Sequence, residues 1–292
     1  LSEKVLSTMA RHLPGGLAHL SLDFWCNMNF ADTGLISLAE CLPATLKDLS
    51  IKFLSNVNFT DTGLTALAEG LPNTLTSLSL AFECNTNFTD GGLVAVAQQL
   101  PSTLTSLALD FSSNENFTDC GLIALAQGLS GTLSALSLHF SNNNRFTDTG
   151  IFLLARWIPR TLKMLTLSHR SNTKFTDHGL IVLARWLPAT LSSLSFDFRC
   201  NKRFTDDGLA ALAQRLPKAL RYLSLDFECN ERFTDDGLAA LEQRLPETIS
   251  NLSVDFWRNR WKRRSGASSS SGHGNSGRSS RGSRSSHSSR RE

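Results

Sequence analysis

Apolar positions along this chain change spacing in a set order, and the order repeats. In the stretch from Leu191 to Lys218, Leu191, Leu194, Phe196 and Phe198 come first. From Leu194 onward their spacing is two, the period of a strand with one buried face. Ser193, Ser195, Asp197 and Arg199 occupy the opposite face. A turn containing Asn201 follows, and Phe204 anchors the chain back into the core. Leu209, Leu212, Ala213 and Leu216 then fall at i, i+3, i+4 and i+7, the buried stripe of a short helix. Asp206 is placed to cap that helix, its carboxylate accepting from free backbone N–H groups. Pro217 ends it, because proline cannot continue the hydrogen-bond ladder.

The phrase Phe-Thr-Asp-x-Gly-Leu at Phe204 recurs at Phe59, Phe88, Phe117, Phe146 (with Ile151 in place of Leu), Phe175 and Phe233, and as Phe30-Ala31-Asp32. Every step is 29 residues, and such self-similarity predicts a solenoid. All eight prolines share one position of the unit, with Ser130 the exception. Asn27, Asn56, Asn85, Asn114, Asn143, Asn172, Asn201, Asn230 and Asn259 share another. An inward Asn there is expected to bond turn backbone and stack on the next Asn, making a structural ladder. Gly34 recurs in all eight units, for close approach to a neighbour or for a φ that other residues avoid. One unit buries about nine apolar side chains at roughly 2 kcal/mol each. Ordering its 29 residues costs roughly 1–2 kcal/mol apiece in backbone entropy. A lone unit therefore does not fold, and stacking must be cooperative.

The organisation follows. Residues 1–256 form the solenoid, as a partial first unit, eight full units and a closing strand at Leu252–Phe256. The chain opens at Leu1 inside a repeat, which reads as a fragment or a processed product. Residues 257–264 are a basic, aromatic flank expected to cover the last strand's edge. Residues 265–292 are rich in Ser, Gly and Arg and read as a disordered tail. Charge divides the same way. Residues 257–292 hold ten Lys/Arg and one acid, against 19 and 25 in the rest, so a net +3 hides an acidic body and a basic tail. Residues 257–292 read either as a segment that binds RNA or an anionic surface, with Ser phosphorylation as a charge switch, or as a solubilising low-complexity end.

Cys26, Cys84, Cys200 and Cys229 share one repeat position, alternating there with Ser and Asn, while Cys41 and Cys120 lie elsewhere. They read as free, buried thiols in a reducing, intracellular compartment, cytoplasmic or nuclear. No run of 18 apolar residues is long enough to span a membrane. The sequons at Asn58, Asn87 and Asn116 fall inside the repeat phrase and carry no message about secretion.

The residues Leu-x-x-Leu-x-Leu followed by Asn, then Thr-Asp-x-Gly-Leu-x-x-Leu-Ala, resemble the long, 28–29-residue classes of the leucine-rich repeat family, the ribonuclease-inhibitor-like and cysteine-containing types. The resemblance covers Leu1 to about Trp257. It implies an α/β fold, a horseshoe solenoid with a parallel β-sheet on the concave side and short helices on the convex side. It also implies a non-catalytic protein-recognition scaffold binding a partner on the concave face, alone or as the substrate-recognition part of a ubiquitin-ligase or innate-receptor-type protein. One departure is that Asn201 falls five residues after Phe196, where the family's Asn or Cys falls three after its third Leu. The turn is expected to differ accordingly.

Candidate partner-binding residues come from the strand columns. One column is hydroxylic and small, from Ser21 to Ser253. The next contains Asp110, His139, Asp197, Asp226 and Asp255, with Glu228 beside it. Its last three Asp make an acidic stripe, read as a solubilising face, a dock for a basic peptide or a dock for the chain's own tail. Asp110, His139 and Ser168 imitate a triad in composition, without a nucleophile turn or oxyanion donor, and no catalytic residue is assigned. His169 replaces Phe in a buried aromatic column and reads as a core substitution. Trp157 and Trp186 end adjacent helices, as a convex hot spot or as packing against the following loop. No Cys/His spacing resembles a metal site, no cofactor is implied, and a monomer is expected.

Overall fold

The computed structural model describes residues 3–25, 29–256 and 259–261. Asn27 and Cys26 lie outside the described residues, as does the tail from 262 onward. Helices and strands alternate: α1 Glu3–Arg11, β1 His19–Asp23, α2 Asp32–Cys41, β2 Asp48–Lys52, α3 Asp61–Glu69, β3 Ser77–Ala81, α4 Asp90–Gln99, β4 Ser106–Asp110, α5 Asp119–Gly128 and β5 Ala135–His139. The second half continues with α6 Asp148–Trp157, β6 Met164–Ser168, α7 Asp177–Trp186, β7 Ser193–Asp197, α8 Asp206–Arg215, β8 Tyr222–Phe227, α9 Asp235–Glu242, β9 Asn251–Phe256 and β10 Asn259–Trp261. Among the described residues no helix is long and apolar enough to cross a membrane.

Strands β1 to β9 lie in chain order in one parallel sheet, each residue paired with its counterpart 29 positions on, as Leu194 is with Leu223. The array does not end on β9. β10 returns antiparallel to it, Asn259 opposite Phe256, because an edge strand left open exposes unpaired N–H and C=O groups.

The period-two residues of each strand point into the core. Leu194 and Phe196 are buried. Phe53, Phe82, Phe111 and Phe140 stack face to face at 5.8–6.1 Å between centroids, and the Phe of each repeat phrase meets them edge-on. His169 continues this column, stacked between Phe140 and Phe198 at 5.9 and 6.1 Å. Aromatic faces and edges carry opposite partial charges, which favours this alternation.

Helices α2 to α9 each begin at the Asp of the repeat phrase, but that Asp is not the cap. Thr205 has the extended φ of −129° that an N-cap adopts, and its hydroxyl accepts from Asp207 N at 3.3 Å. Asp206, already inside the helix, faces the next unit instead. Its carboxylate accepts from Thr234 N at 3.0 Å and from Thr234 Oγ1 at 2.5 Å. Helix α8 closes with Leu216 extended (φ −56°, ψ 130°), the conformation that a following Pro217 requires.

A second clasp sits at the other end of the unit. Thr190 Oγ1 donates toward Arg160 O (2.8 Å) and Leu162 O (2.6 Å) of the unit before. Thr45, Thr74, Thr103, Thr132, Thr161 and Thr248 make the same pair of contacts, whereas the corresponding position 219 is Ala.

The turn after each strand has its own logic. Ser55, Cys84, Ser113, Asn142, Ser171, Cys200 and Cys229 all take a left-handed φ of 59–66°. Small, unbranched side chains suit that region. Cys84, Cys200 and Cys229 are free, but they are half-buried and not buried as expected. Turn conformation selects them, not core packing. Cys41 is also half-buried, and Cys120 is exposed.

The Asn that follows is fully enclosed. Asn201 Nδ2 donates to Phe198 O (2.9 Å) in its own turn and His169 O (3.0 Å) in the preceding unit. Asn114 does the same with Phe111 O and Phe82 O, both at 3.0 Å. At Asn56, Asn85, Asn172 and Asn230 the side-chain oxygen accepts from the backbone N–H two residues on. Asn143 is equally buried. The bonds run to backbone groups that no strand satisfies.

Candidate functional site

The sheet presents one face to solvent, formed by alternate residues of β1 to β9 and of the turns that continue them. Its central column is the run of small hydroxyls, Ser137, Thr166, Ser195 and Ser224 among them. Beside it stand Asp110 on β4, His139 on β5, Ser168 on β6, Asp197 on β7, Asp226 on β8 and Asp255 on β9, in register. Glu228 lies just past β8, its backbone N–H donating to Asp226 Oδ1 at 3.1 Å.

The three carboxylates do not form a bare acidic stripe. Arg199 lies between two of them. Its Nε donates to Asp197 Oδ1 at 2.9 Å and its Nη2 to Asp197 Oδ2 at 2.7 Å, a forked pair. Asp226 Oδ2 is 3.4 Å from the same Nε. Burial pushes the Asp197 carboxyl up, but the bonds from Arg199 and Ser168 together outweigh it and hold it below its ordinary range. Asp226 is raised, by burial first and then by Asp197 and Asp255, against the pull of the Glu228 N–H and Arg199. Arg199 itself is held further toward its charged form by its bond to Asp197.

The triad-like column has no relay geometry. His139 Nε2 bonds Ser137 Oγ at 2.9 Å. Ser168 Oγ lies 2.9 Å from Ser141 Oγ and 3.1 Å from Asp197 Oδ2. Asp110 Oδ1 accepts from Ser112 N at 3.0 Å. Each member is engaged elsewhere, so Ser168 has no imidazole to take its proton. Behind it His169 is wholly enclosed, and neither ring nitrogen has a hydrogen-bond partner among the described residues. Burial first, then His139, push its pKa down to about 3. It is a neutral aromatic filler.

Between β4 and β7 the face sinks into a groove of about 460 Å³. Thr166, Ser168 and Ser195 lie along it, with Glu83 at one end and Arg170 and Arg199 toward the other. Arg170 had no place among the sequence candidates. Its signal was present, since it lies 29 residues before Arg199, the one other basic residue in a column of Trp25, Leu54, Glu83, Ser112, Ser141, Glu228 and Trp257. Met164 and Tyr222 were missed too. They are 53% and 41% exposed on the neighbouring outward column and are legible by strand alternation alone.

On the helix side, Trp157 is 49% exposed at the end of α6. Trp186 is not its equal. It packs against the core, and the Arg160 guanidinium sits 5.4 Å over its ring. No group of three or more His, Cys, Asp or Glu among the described residues is placed to hold a metal ion.

A family model described as leucine-rich repeat matches residues 194–213, which run from β7 into α8. A chain of the Rad7–Elc1 complex from yeast superposes with a TM-score of 0.58 over 82% of this chain, at 21% identity. This chain has the leucine-rich-repeat solenoid fold. It covers 64% of the length of that yeast chain. The leucine-rich-repeat-containing protein LegL7 from Legionella pneumophila matches over 82% of this chain and 73% of its own, with a TM-score of 0.49 and 17% identity. No curated protein matches the sequence. The 29-residue period fits a long leucine-rich-repeat class.

Proposed function

We propose that this leucine-rich-repeat chain is a non-catalytic recognition scaffold that holds a protein partner against the solvent face of its sheet. The observation that carries the reading is the composition of that face. Its central column is small and hydroxylic over consecutive strands, so another chain can approach closely. Charged side chains flank it, and a groove crosses it. The helix side, in contrast, has a single open Trp among its described large aromatics. Recognition surfaces combine such a depression with a few fixed polar groups. The presence of a similarly folded chain in a complex with Elc1 is compatible with a role as the recognition part of a larger assembly.

The test is capture from a cell extract with the full chain as bait, compared with Ser137→Arg and Ser195→Arg variants whose melting is unchanged. A specific protein retained by the parent chain and lost with both variants supports the reading. Capture indifferent to the sheet face, but lost with Trp157→Ala, would move the interface to the helices and sink it.

A further inference from the structure

The groove has a charge order of its own. Glu83 and Arg170 occupy the same repeat position, three units apart, with Ser112 and Ser141 between them. Backbone bonds from Cys84 N to Ser112 O (2.9 Å), Ser113 N to Ser141 O (2.7 Å) and Asn142 N to Arg170 O (2.7 Å) keep these units in step past the strand ends. At about 4.8 Å per strand, the two charges stand about 14 Å apart. They cannot reach each other. Neither side chain makes a hydrogen bond or ion pair with any described residue. The remaining charges of the groove are settled locally, since Arg199 is forked onto Asp197.

The Glu83 end is the anionic end in environment as well as sequence. Burial, and then the neighbouring Asp110 carboxylate, push the Glu83 carboxyl up, and a cation brought beside it would offset both. Arg170 is exposed, and its guanidinium meets no acceptor among the described residues. Between the ends, Ser112 and Ser141 line the groove with small side chains, which leaves room for a backbone laid across the strands.

We propose that this groove takes an extended peptide carrying one basic and one acidic side chain four residues apart, the base on Glu83 and the acid on Arg170. An extended chain rises about 3.4 Å per residue, so residues i and i+4 are about 14 Å apart and point to the same side. The proposal rests on the reading of the sheet face as a recognition surface and adds the chemistry of what is recognised.

Three end-blocked nonapeptides of Ser and Gly test it, with Lys and Glu, Lys and Lys, or Glu and Glu at positions 3 and 7. They are titrated into the full, ¹⁵N-labelled chain. The Lys/Glu peptide is expected to bind about tenfold more tightly than either control, a difference of one well-placed charge pair. The amide shifts should fall on β3 to β6. Arg170→Glu should transfer the preference to the Lys/Lys peptide, and Glu83→Lys should transfer it to the Glu/Glu peptide. Three peptides bound alike, no binding to the folded chain, shifts outside β3–β6, or reversals that leave the preference unchanged would each overturn the assignment. A captured protein that is lost with Ser137→Arg but indifferent to both reversals would sink this charge order while leaving the sheet-face reading intact.

Discussion

The carboxylate of Asp90 holds Thr118 of the next unit by two bonds, from the backbone N–H at 2.8 Å and from the hydroxyl at 2.5 Å. The same hydroxyl accepts from Cys120 N at 3.2 Å and so caps α5. One Thr thus starts a helix and ties it to the helix before. The pair repeats from Asp32–Thr60 to Asp206–Thr234. Gly121 completes the arrangement, because a Cβ there would lie 2.5 Å from Asp90 Oδ1. The recurrent glycine is therefore explained by close approach.

Asp90→Ala leaves two part-buried donors without a charged acceptor, and should destabilise the solenoid by roughly 2–4 kcal/mol. Gly121→Ala should cost about as much, and the double variant distinctly less than the sum, because both disrupt one clasp. Urea denaturation of the four proteins checks this. Additive losses would show that Asp90 and Gly121 act separately.

Two positions lack a bond that their counterparts make. Ala219 replaces the Thr whose hydroxyl reaches back to the preceding unit. Ala31 gives α2 no side-chain cap. Ala219→Thr should stabilise by about 0.5–1.5 kcal/mol, and Ala31→Thr by about 1 kcal/mol. Thermal melting of each single variant measures it, and a lowered midpoint in either would contradict the assigned role.

His169 makes the fold sensitive to acid. Its folded pKa, about 3, lies below the ordinary 6.5. The unfolded chain therefore binds a proton that the folded chain refuses. This contribution to stability is complete above pH 6.5, falls as pH drops below it, and is spent near pH 3. At pH 4.5 the loss should be roughly 2–3 kcal/mol, from about 1.4 kcal/mol per pH unit. His169→Phe restores the aromatic column and should abolish this component. Equal pH dependence of parent and variant between pH 7.5 and 4.5 would exclude it.

Cys200 sits at φ 61°. Cys200→Gly should be neutral or better, and Cys200→Val should cost about 1–2 kcal/mol, since a branched side chain crowds the left-handed region. Denaturation midpoints under reducing conditions separate these outcomes. Tolerance of Val would mean the turn conformation is not selecting this column.

Period and alternation, both linear properties of the chain, determined the units, the strand face that is buried, the register of 29, and the place where each helix stops. They do so because a residue's position in the unit dictates its side of the sheet, and because Pro217 cannot extend a helix. Arg199 and Asp226 were visible as neighbours on one face, but not as partners. The direction in which Asp206 turns, the left-handed turn at Cys200, the cover that Arg160 gives Trp186, and the groove between Glu83 and Arg170 were decided by tertiary structure. Each depends on the few ångströms separating side chains about a whole coil apart in sequence, and a pattern of polar and apolar positions records which face a residue takes, not how far it reaches.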